Sequence, residues 1–255
     1  MRVLLLGGTT EGRELTASLA STGIDLVESV AGRTAEARTG GADRIGGFGG
    51  VEGLAAYLRA NNVDAVVDAT HPFAATMTTH ASRACTVTGT PLVRLSRPSW
   101  AKRGDAGGWT WVPDHRAAAA AVAEVGASER RRVLLTVGRQ PLDAYRALPL
   151  VLARVAEVPD GWLERSGWEL RLQRGPFDLE SELTMLRTER ISALVSKDSG
   201  GHAAASKLDA AARLGVPVFM VARPAPPRGI DEVASTAAVV EWLEALRPAR
   251  TRPTA

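Results

Sequence analysis

The sequence predicts an α/β protein built from two Rossmann-like, doubly wound domains, each with a parallel sheet. Three observations lead to this prediction. Short apolar runs alternate with helical segments of about ten residues through both halves of the chain. A glycine-rich turn follows the first apolar run. A segment rich in glycine, proline and tryptophan then interrupts the alternation, and the same pattern resumes after it.

The first half begins with a strand and continues as alternating helices and strands. Leu15 and Leu19, four residues apart, share one face of the first helix. Pro72 suits the first turn of a helix, where its missing N–H costs nothing. The predicted strands are Val3–Leu6, Ile24–Val30, Ala65–Asp68 and Pro91–Leu95, and the predicted helices are Glu11–Ser21, Val51–Asn61 and Pro72–Thr88.

The second half repeats this order. Its predicted strands are Trp109–Val112, Val133–Val137, Leu150–Val155, Ile191–Ser196 and Val216–Val221, and its predicted helices are Ala117–Val125, Leu179–Glu189, Ala203–Leu214 and Thr236–Leu246. We therefore expect an amino-terminal domain over residues 1–96, a linker over 97–113, a carboxyl-terminal α/β domain over 114–246 and a disordered tail over 247–255. Two such domains would leave a ligand cleft between them.

The composition excludes several classes of protein. The 255 residues include 31 basic and 28 acidic side chains, so the net charge is only +3, and the basic residues are scattered; no nucleic-acid partner is expected. One cysteine and four histidines argue against a disulfide framework and a metal site. No apolar run approaches the ~18 residues of a membrane span, and the amino terminus does not match a signal peptide. We expect a cytoplasmic enzyme or binding protein of undetermined oligomeric state.

A glycine-rich turn connects the first predicted strand to the first predicted helix. Gly7 and Gly12 occupy the first and third positions of the dinucleotide pattern G-x-G-x-x-G, but Thr9 occupies the second. Glycines let the backbone approach a pyrophosphate, and a helix N-terminus favours its charge. A tight turn without a ligand is the alternative. The candidate cofactor-binding residues here are Gly7, Gly8, Thr9, Thr10, Glu11, Gly12 and Arg13.

The end of the second predicted strand bears on the choice between NADH and NADPH. A carboxylate there binds the ribose 2′-hydroxyl in NAD enzymes, whereas an arginine suits the 2′-phosphate of NADP. Glu28 lies 21 residues after Gly7, but the chain continues to a turn that contains Gly32, Arg33 and Thr34. We interpret this turn as a phosphate pocket, so the amino-terminal domain is predicted to bind NADPH.

A further set of candidates follows the third predicted strand, at the sheet edge where ligands of α/β proteins bind. Ala69, Thr70 and His71 are assigned to the cofactor site. His71 could instead cap or pack the next helix. Asp68 is interpreted as structural, with its carboxylate bonded to the backbone of its own turn.

Four segments together resemble the precorrin-6A reductase family of cobalamin biosynthesis, over residues 1 to about 246: Gly7–Arg13, Asp68–Ala74, Arg97–Trp100 and Ser196–Gly201. The resemblance implies an NADPH-dependent reduction of precorrin-6A to precorrin-6B. In that reaction a hydride is added to one carbon of a ring double bond and a proton to its neighbour. The resemblance also implies a two-domain protein with the cofactor and the tetrapyrrole in the cleft.

The implied substrate is a large polycarboxylate, and the second half carries basic groups at predicted strand ends. The candidate substrate-binding residues are Arg97, Arg139, Lys197, Ser199, Gly200, Gly201 and Lys207. For Lys207 the alternative is an exposed helix lysine. The candidate proton donors are His71, Lys197 and Asp198, and solvent is the alternative.

Three other functions are alternatives to this one. The first is a cobalt-precorrin-6A reductase, since a close relative of this family acts on the cobalt-containing substrate of the anaerobic route and no motif in the sequence separates the two substrates. A non-catalytic NADP(H)-binding sensor would share the glycine turn. A short-chain dehydrogenase would need Tyr-x-x-x-Lys, but Asn61 and Pro149 stand four residues after Tyr57 and Tyr145, the two tyrosines.

Overall fold

A computed structural model describes residues 1–32, 41–126, 132–201 and 205–247. The strands in these residues are β1 Arg2–Leu6, β2 Asp25–Val30, β3 Arg44–Ile45, β4 Ala65–Asp68, β5 Leu92–Leu95, β6 Thr110–Val112, β7 Arg132–Leu135, β8 Val151–Val155, β9 Trp168–Leu172, β10 Ile191–Lys197, β11 Val218–Val221 and β12 Asp231–Val233. The helices are α1 Thr10–Leu19, α2 Gly50–Ala60, α3 Ala75–Thr88, α4 His115–Gly126, α5 Leu179–Thr188, α6 Ser206–Leu214 and α7 Thr236–Leu246. None of these helices is both long and apolar enough to cross a bilayer.

The first of two compact units contains residues 1–97 and the chain from 224 onward. Its six strands are all parallel and follow the order β12-β5-β4-β1-β2-β3. The order reverses between β1 and β4, because the chain adds strands on one side of β1 and then on the other. A crevice therefore opens beyond the carboxyl ends of β1 and β4, which is where such sheets bind ligands.

Helices cover both faces of the first sheet. One core joins β1 and β4 to α1 and α7, with Leu15, Val239 and Leu243 fully buried. The other core joins the same strands to α2 and α3, with Leu54 and Ala81 fully buried. Burial on both faces explains why β1 and β4 are continuous apolar runs rather than alternating ones.

The second unit contains residues 98–223. Its six parallel strands follow the order β6-β11-β10-β7-β8-β9. Here the order reverses between β7 and β10, so a second crevice opens beyond the carboxyl ends of these two strands. Leu134, Leu152 and Leu194 from the strands pack against α5 and α6 in the core below it.

The predicted pair of doubly wound parallel sheets is confirmed, but the predicted division of the chain is wrong in two places. The carboxyl-terminal segment assigned to the second domain belongs to the first unit, because β12 pairs with β5 and α7 packs against α1 and β5. The predicted linker is folded into the second unit: Trp100 is buried in its core, and β6 pairs with β11. Residues 248–255, most of the predicted tail, lie outside the described residues.

The local predictions also need correction. The helix expected to begin at Pro72 begins at Ala75, so the proline lies in the preceding turn rather than in the first helical turn. Three strands, β3, β9 and β12, were not predicted. Two of them, β3 and β12, have only two and three residues, too few for a period to appear.

Candidate functional site

Thr9 joins the two turns that form the crevice of the first unit. Its hydroxyl donates to the Ala69 carbonyl oxygen at 2.8 Å and accepts from the Gly12 N–H at 3.0 Å, which makes Thr9 the N-cap of α1. The Ala69 N–H in turn donates to the Leu6 carbonyl oxygen at 2.9 Å. Because the single hydroxyl proton is used in this bond, the Thr9 side chain has none left to donate to a cofactor phosphate. Its role is to hold the turns after β1 and β4 together.

The start of α1 fits an anionic group. Thr10 and Glu11 are the first two residues of α1, so their N–H groups have no carbonyl partner within the helix. Gly8 has a φ of +103°, which a side chain would strain, and the space a Cβ would enter there is open. The strand–turn–helix geometry therefore fits a dinucleotide pyrophosphate.

Glu28, on β2, packs against Gly7 in this turn. Its carboxylate accepts a hydrogen bond from the Thr16 hydroxyl at 3.1 Å. A Cβ at Gly7 would lie only 2.6 Å from Glu28 Oε1, so the close approach of this carboxylate favours glycine there. Gly32, with a φ of +65°, follows β2. Arg33 and Thr34, the predicted phosphate ligands, lie outside the described residues.

The remaining charged candidates of this crevice are held by neighbours. Glu11 forms an ion pair with Arg97, which follows β5, so a predicted cofactor residue and a predicted substrate residue lie side by side. Arg13 donates to the Thr10 hydroxyl at 3.4 Å. These contacts place two guanidinium groups at the first turn of α1.

The turn after β4 is built on Asp68. This carboxylate is 1% exposed and accepts from the Thr70 N–H at 3.0 Å, the Thr70 hydroxyl at 2.6 Å and the Thr78 hydroxyl at 2.7 Å. The structural interpretation of Asp68 is confirmed. His71 Nδ1 accepts from the Phe73 N–H at 3.2 Å, so a neutral His71 carries its proton on Nε2.

The crevice of the second unit gathers several predicted substrate residues. Lys197 ends β10, and a Cβ at Gly138, after β7, would lie 3.7 Å from its Nζ. The segment Ser199–Gly201 continues from the same strand, and the Ser199 N–H donates to the Lys197 carbonyl oxygen at 2.7 Å. Burial lowers the pKa of Lys197 from 10.5 to about 8. This ammonium therefore loses its proton closer to neutral pH than a lysine in water does.

Lys207 is not the exposed helix lysine that was the alternative, since only 9% of it is exposed. Burial, together with the charges of Arg154 and Lys197 and against the opposing charge of Glu182, lowers the pKa of Lys207 from 10.5 to about 8. The Arg154–Glu182 pair beside it is buried and bidentate, with distances of 2.6 and 3.3 Å. A second buried cation next to a paired arginine leaves excess positive charge in the unit.

Asp198, a predicted proton donor, has a structural role in the described contacts. Its carboxylate accepts from the Ser99 hydroxyl at 2.7 Å, the Trp100 N–H at 2.7 Å, and Arg223 Nε and Nη2 at 2.9 and 3.1 Å. All four contacts use the carboxylate as an acceptor, which is the role of a structural anchor. Asp198 therefore joins the first residues of the second unit to Arg223, its last residue.

Arg139 is held at the carboxyl edge by its own neighbours. It lies 3.6 Å from Glu157 and donates to the Val158 carbonyl oxygen at 3.4 Å.

The sequence did not predict a polar pair in the second unit, between His115 and Tyr145. His115 Nδ1 lies 2.8 Å from the Tyr145 hydroxyl, and Tyr145 is fully buried. Burial and the Lys197 charge lower the pKa of His115 to about 4. A single histidine at a helix start gave no periodic pattern from which to predict this contact.

Comparisons with known proteins decide the family. The sequence model of the precorrin-6x reductase CbiJ/CobK family matches residues 2–244. The chain belongs to this family. It is 46% identical to a precorrin-6A reductase of Mycobacterium tuberculosis over 247 residues, which covers 96% of this chain and 98% of the relative. A precorrin-6A reductase of Rhodococcus erythropolis is 43% identical over 249 residues, again with 96% and 98% coverage.

The fold comparison agrees. A solved structure described as CobK precorrin-6A reductase superposes with a TM-score of 0.82 at 39% identity, over 96% of this chain and 97% of the other. A cobalt-precorrin-6A reductase of Priestia megaterium is 28% identical over 236 residues, which is 87% of this chain and 90% of the relative. The resemblance inferred from the four sequence segments is confirmed.

Proposed function

We propose that the protein catalyses the NADPH-dependent reduction of a ring double bond of precorrin-6A, which gives precorrin-6B in cobalamin biosynthesis. The observation that supports this most strongly is the family match over residues 2–244, with relatives named precorrin-6A reductase at 43–46% identity. The relatives named for the cobalt-containing substrate share only 28–30% identity, so we favour the metal-free substrate. We also propose a cytoplasmic location, where NADPH is produced.

The first unit would hold the cofactor. NADPH supplies a hydride when it is bound. The N–H groups of Thr10 and Glu11 would bind its pyrophosphate, and Gly8 would let the backbone approach. Arg33 and Thr34 would bind the 2′-phosphate, as the sequence predicts. Replacing Arg33 with alanine should then raise the Michaelis constant for NADPH roughly tenfold, as expected for one charge-assisted hydrogen bond, and leave that for NADH nearly unchanged.

The second unit would hold the tetrapyrrole. Lys207 and the turn Ser199–Gly201 would bind substrate carboxylates. We favour Lys197 as the proton donor, because its pKa of about 8 lets it be protonated at neutral pH and still release a proton readily. His71, with its proton on Nε2, remains the second candidate. Replacing Lys197 with methionine should remove the basic limb of the pH profile of kcat, whereas replacing His71 with glutamine should keep it.

The test of the activity is direct. The purified protein is mixed with precorrin-6A and NADPH, and the absorbance of the reduced nicotinamide is followed together with the mass of the tetrapyrrole. We expect equal amounts of cofactor oxidised and of a product with two more hydrogen atoms. Cobalt-precorrin-6A is run in parallel and should react more slowly. If NADPH binds but is not oxidised with either tetrapyrrole, the protein is a nucleotide sensor and the proposal is wrong.

A further inference from the structure

A cavity of about 280 Å³ lies within the second unit, outside the residues discussed so far except Arg139. It is a partly open cavity lined by the segment that follows β7 and the segment that follows β8. Three arginines line it, Arg139, Arg146 and Arg165, together with the half-buried indole of Trp162. Guanidinium groups beside an aromatic ring suit a ligand that is both anionic and partly apolar.

The acidic residues of this cavity do not cancel its positive charge. Asp143 and Asp160 also line it, but their side chains are 82% and 98% exposed. The pair between Arg146 and Asp143, at 2.9 Å, is solvent-exposed and contributes little stability, so an incoming carboxylate can replace it. The Arg165 guanidinium lies 5.8 Å from the centre of the Trp168 ring, a contact with an aromatic face rather than with a carboxylate.

The position of the cavity relates it to the crevice of the same unit. Arg139 follows Gly138, and Gly138 lies against the Lys197 ammonium. The first cavity residue therefore follows directly in the chain the glycine that lies against Lys197, the group that we favour as the proton donor. The volume of the cavity is just below that of small-ligand pockets, which are about 300–1,000 Å³. It is too small for a tetrapyrrole but large enough for one acidic side chain and the ring edge that carries it.

We propose that this cavity binds a peripheral carboxylate side chain of the tetrapyrrole, through Arg146 and Arg165, while Trp162 contacts the apolar edge of the ring. The proposal rests on the proposed function for the identity of the ligand. It assigns the cavity to substrate specificity rather than to the hydride-transfer step, because its lining arginines carry a fixed positive charge and do not exchange protons with the substrate.

The first experiment measures steady-state kinetics with precorrin-6A for Arg146→Gln and Arg165→Gln. Each change should raise the Michaelis constant for precorrin-6A roughly tenfold, the equivalent of one charge-assisted hydrogen bond, and leave kcat and the Kd for NADPH unchanged. Arg213→Gln is the matched control, because Arg213 is exposed on α6 and its replacement removes the same charge from the same unit. A Michaelis constant that stays constant in the two cavity variants, or that rises equally in the control, overturns the proposal.

A second experiment separates the cavity from the proposed activity. The Kd for uroporphyrin I, a tetrapyrrole with carboxylate side chains, is measured by fluorescence anisotropy for the same variants and for Trp162→Ala. Weaker binding in the cavity variants alone supports the cavity even if the wild-type protein fails to reduce precorrin-6A, in which case only the proposed function fails. Equal Kd values in all the variants show that the cavity takes no tetrapyrrole carboxylate.

Discussion

Lys207 gives the sharpest prediction about the energetics of the second unit. It is 91% buried, and burial lowers its pKa from 10.5 to about 8. Each pH unit between the pKa values of the unfolded and folded states corresponds to 1.36 kcal/mol, so the buried ammonium costs about 3 kcal/mol of stability. Below pH 8 both states are protonated and the whole cost is present. From pH 8 to 10.5 the unfolded chain binds more protons, so stability rises with pH.

Replacing Lys207 with methionine should therefore stabilise the protein below pH 8 by about 1–3 kcal/mol, since packing the new side chain recovers only part of the cost. The rise of stability with pH should become shallower. The free energy of unfolding is measured by urea denaturation at several pH values. Lys102→Met is the control, because Lys102 is exposed in the same unit and should leave both quantities unchanged.

The same variant should lose affinity for the substrate if Lys207 binds a carboxylate, so stability and function should change in opposite directions. A Lys207→Met protein that is less stable than wild type below pH 8 would refute the reasoning. That result would mean that the ammonium is well compensated by Glu182 and is a structural part of the Arg154–Glu182 pair. A more stable variant with an unchanged Michaelis constant would leave Lys207 without a role in binding.

Three further predictions concern the other polar contacts. Thr9→Val should cost about 1–2 kcal/mol of stability and weaken NADPH binding several-fold, because it breaks the hydrogen bond to Ala69 that joins the two turns. Thr9→Ser keeps the hydroxyl and should keep both the stability and the NADPH affinity of the wild type, as measured by calorimetry. Glu182→Gln should lower the free energy of unfolding by about 3–5 kcal/mol, since it leaves the Arg154 charge buried and uncompensated; a loss below 1 kcal/mol would contradict this. His115→Gln should reduce the loss of stability as the pH falls from 6.5 to about 4, because the folded state resists protonation of this histidine in that range. Denaturation curves with the same pH slope in wild type and variant would show that His115 is not the group responsible.

The sequence predicted the alternating elements well, because strands buried on both faces are continuous apolar runs and helices repeat their apolar residues every three to four positions. It could not predict where the chain after Val221 goes. β12 has only three residues, of which Asp231 and Glu232 are exposed, so no apolar pattern indicates that it joins β5. That pairing depends on contacts between residues more than 130 positions apart in the chain.

Features of the candidate site that depend on backbone conformation could be predicted from the sequence. Features that depend on which side chains contact each other were harder to predict. Gly8 at the end of β1 could be assigned to a ligand turn because glycine tolerates its positive φ. The hydrogen bond from Thr9 to Ala69 was not predictable, since it joins turns that are 60 residues apart. Asp198 illustrates the same limit: a carboxylate beside Lys197 suggested acid chemistry, but its partners Trp100 and Arg223 are distant in sequence.

The measurement that tests the proposed reaction most directly uses NADPH labelled with deuterium at the transferred position of the nicotinamide. The protein is incubated with this cofactor and precorrin-6A in ordinary water, and the product is analysed by mass spectrometry. Direct hydride transfer predicts a product that carries one deuterium from the cofactor and one proton from solvent or from a side chain that exchanges with it. A reduced product without deuterium, or cofactor oxidation without a reduced tetrapyrrole, would contradict the proposed function.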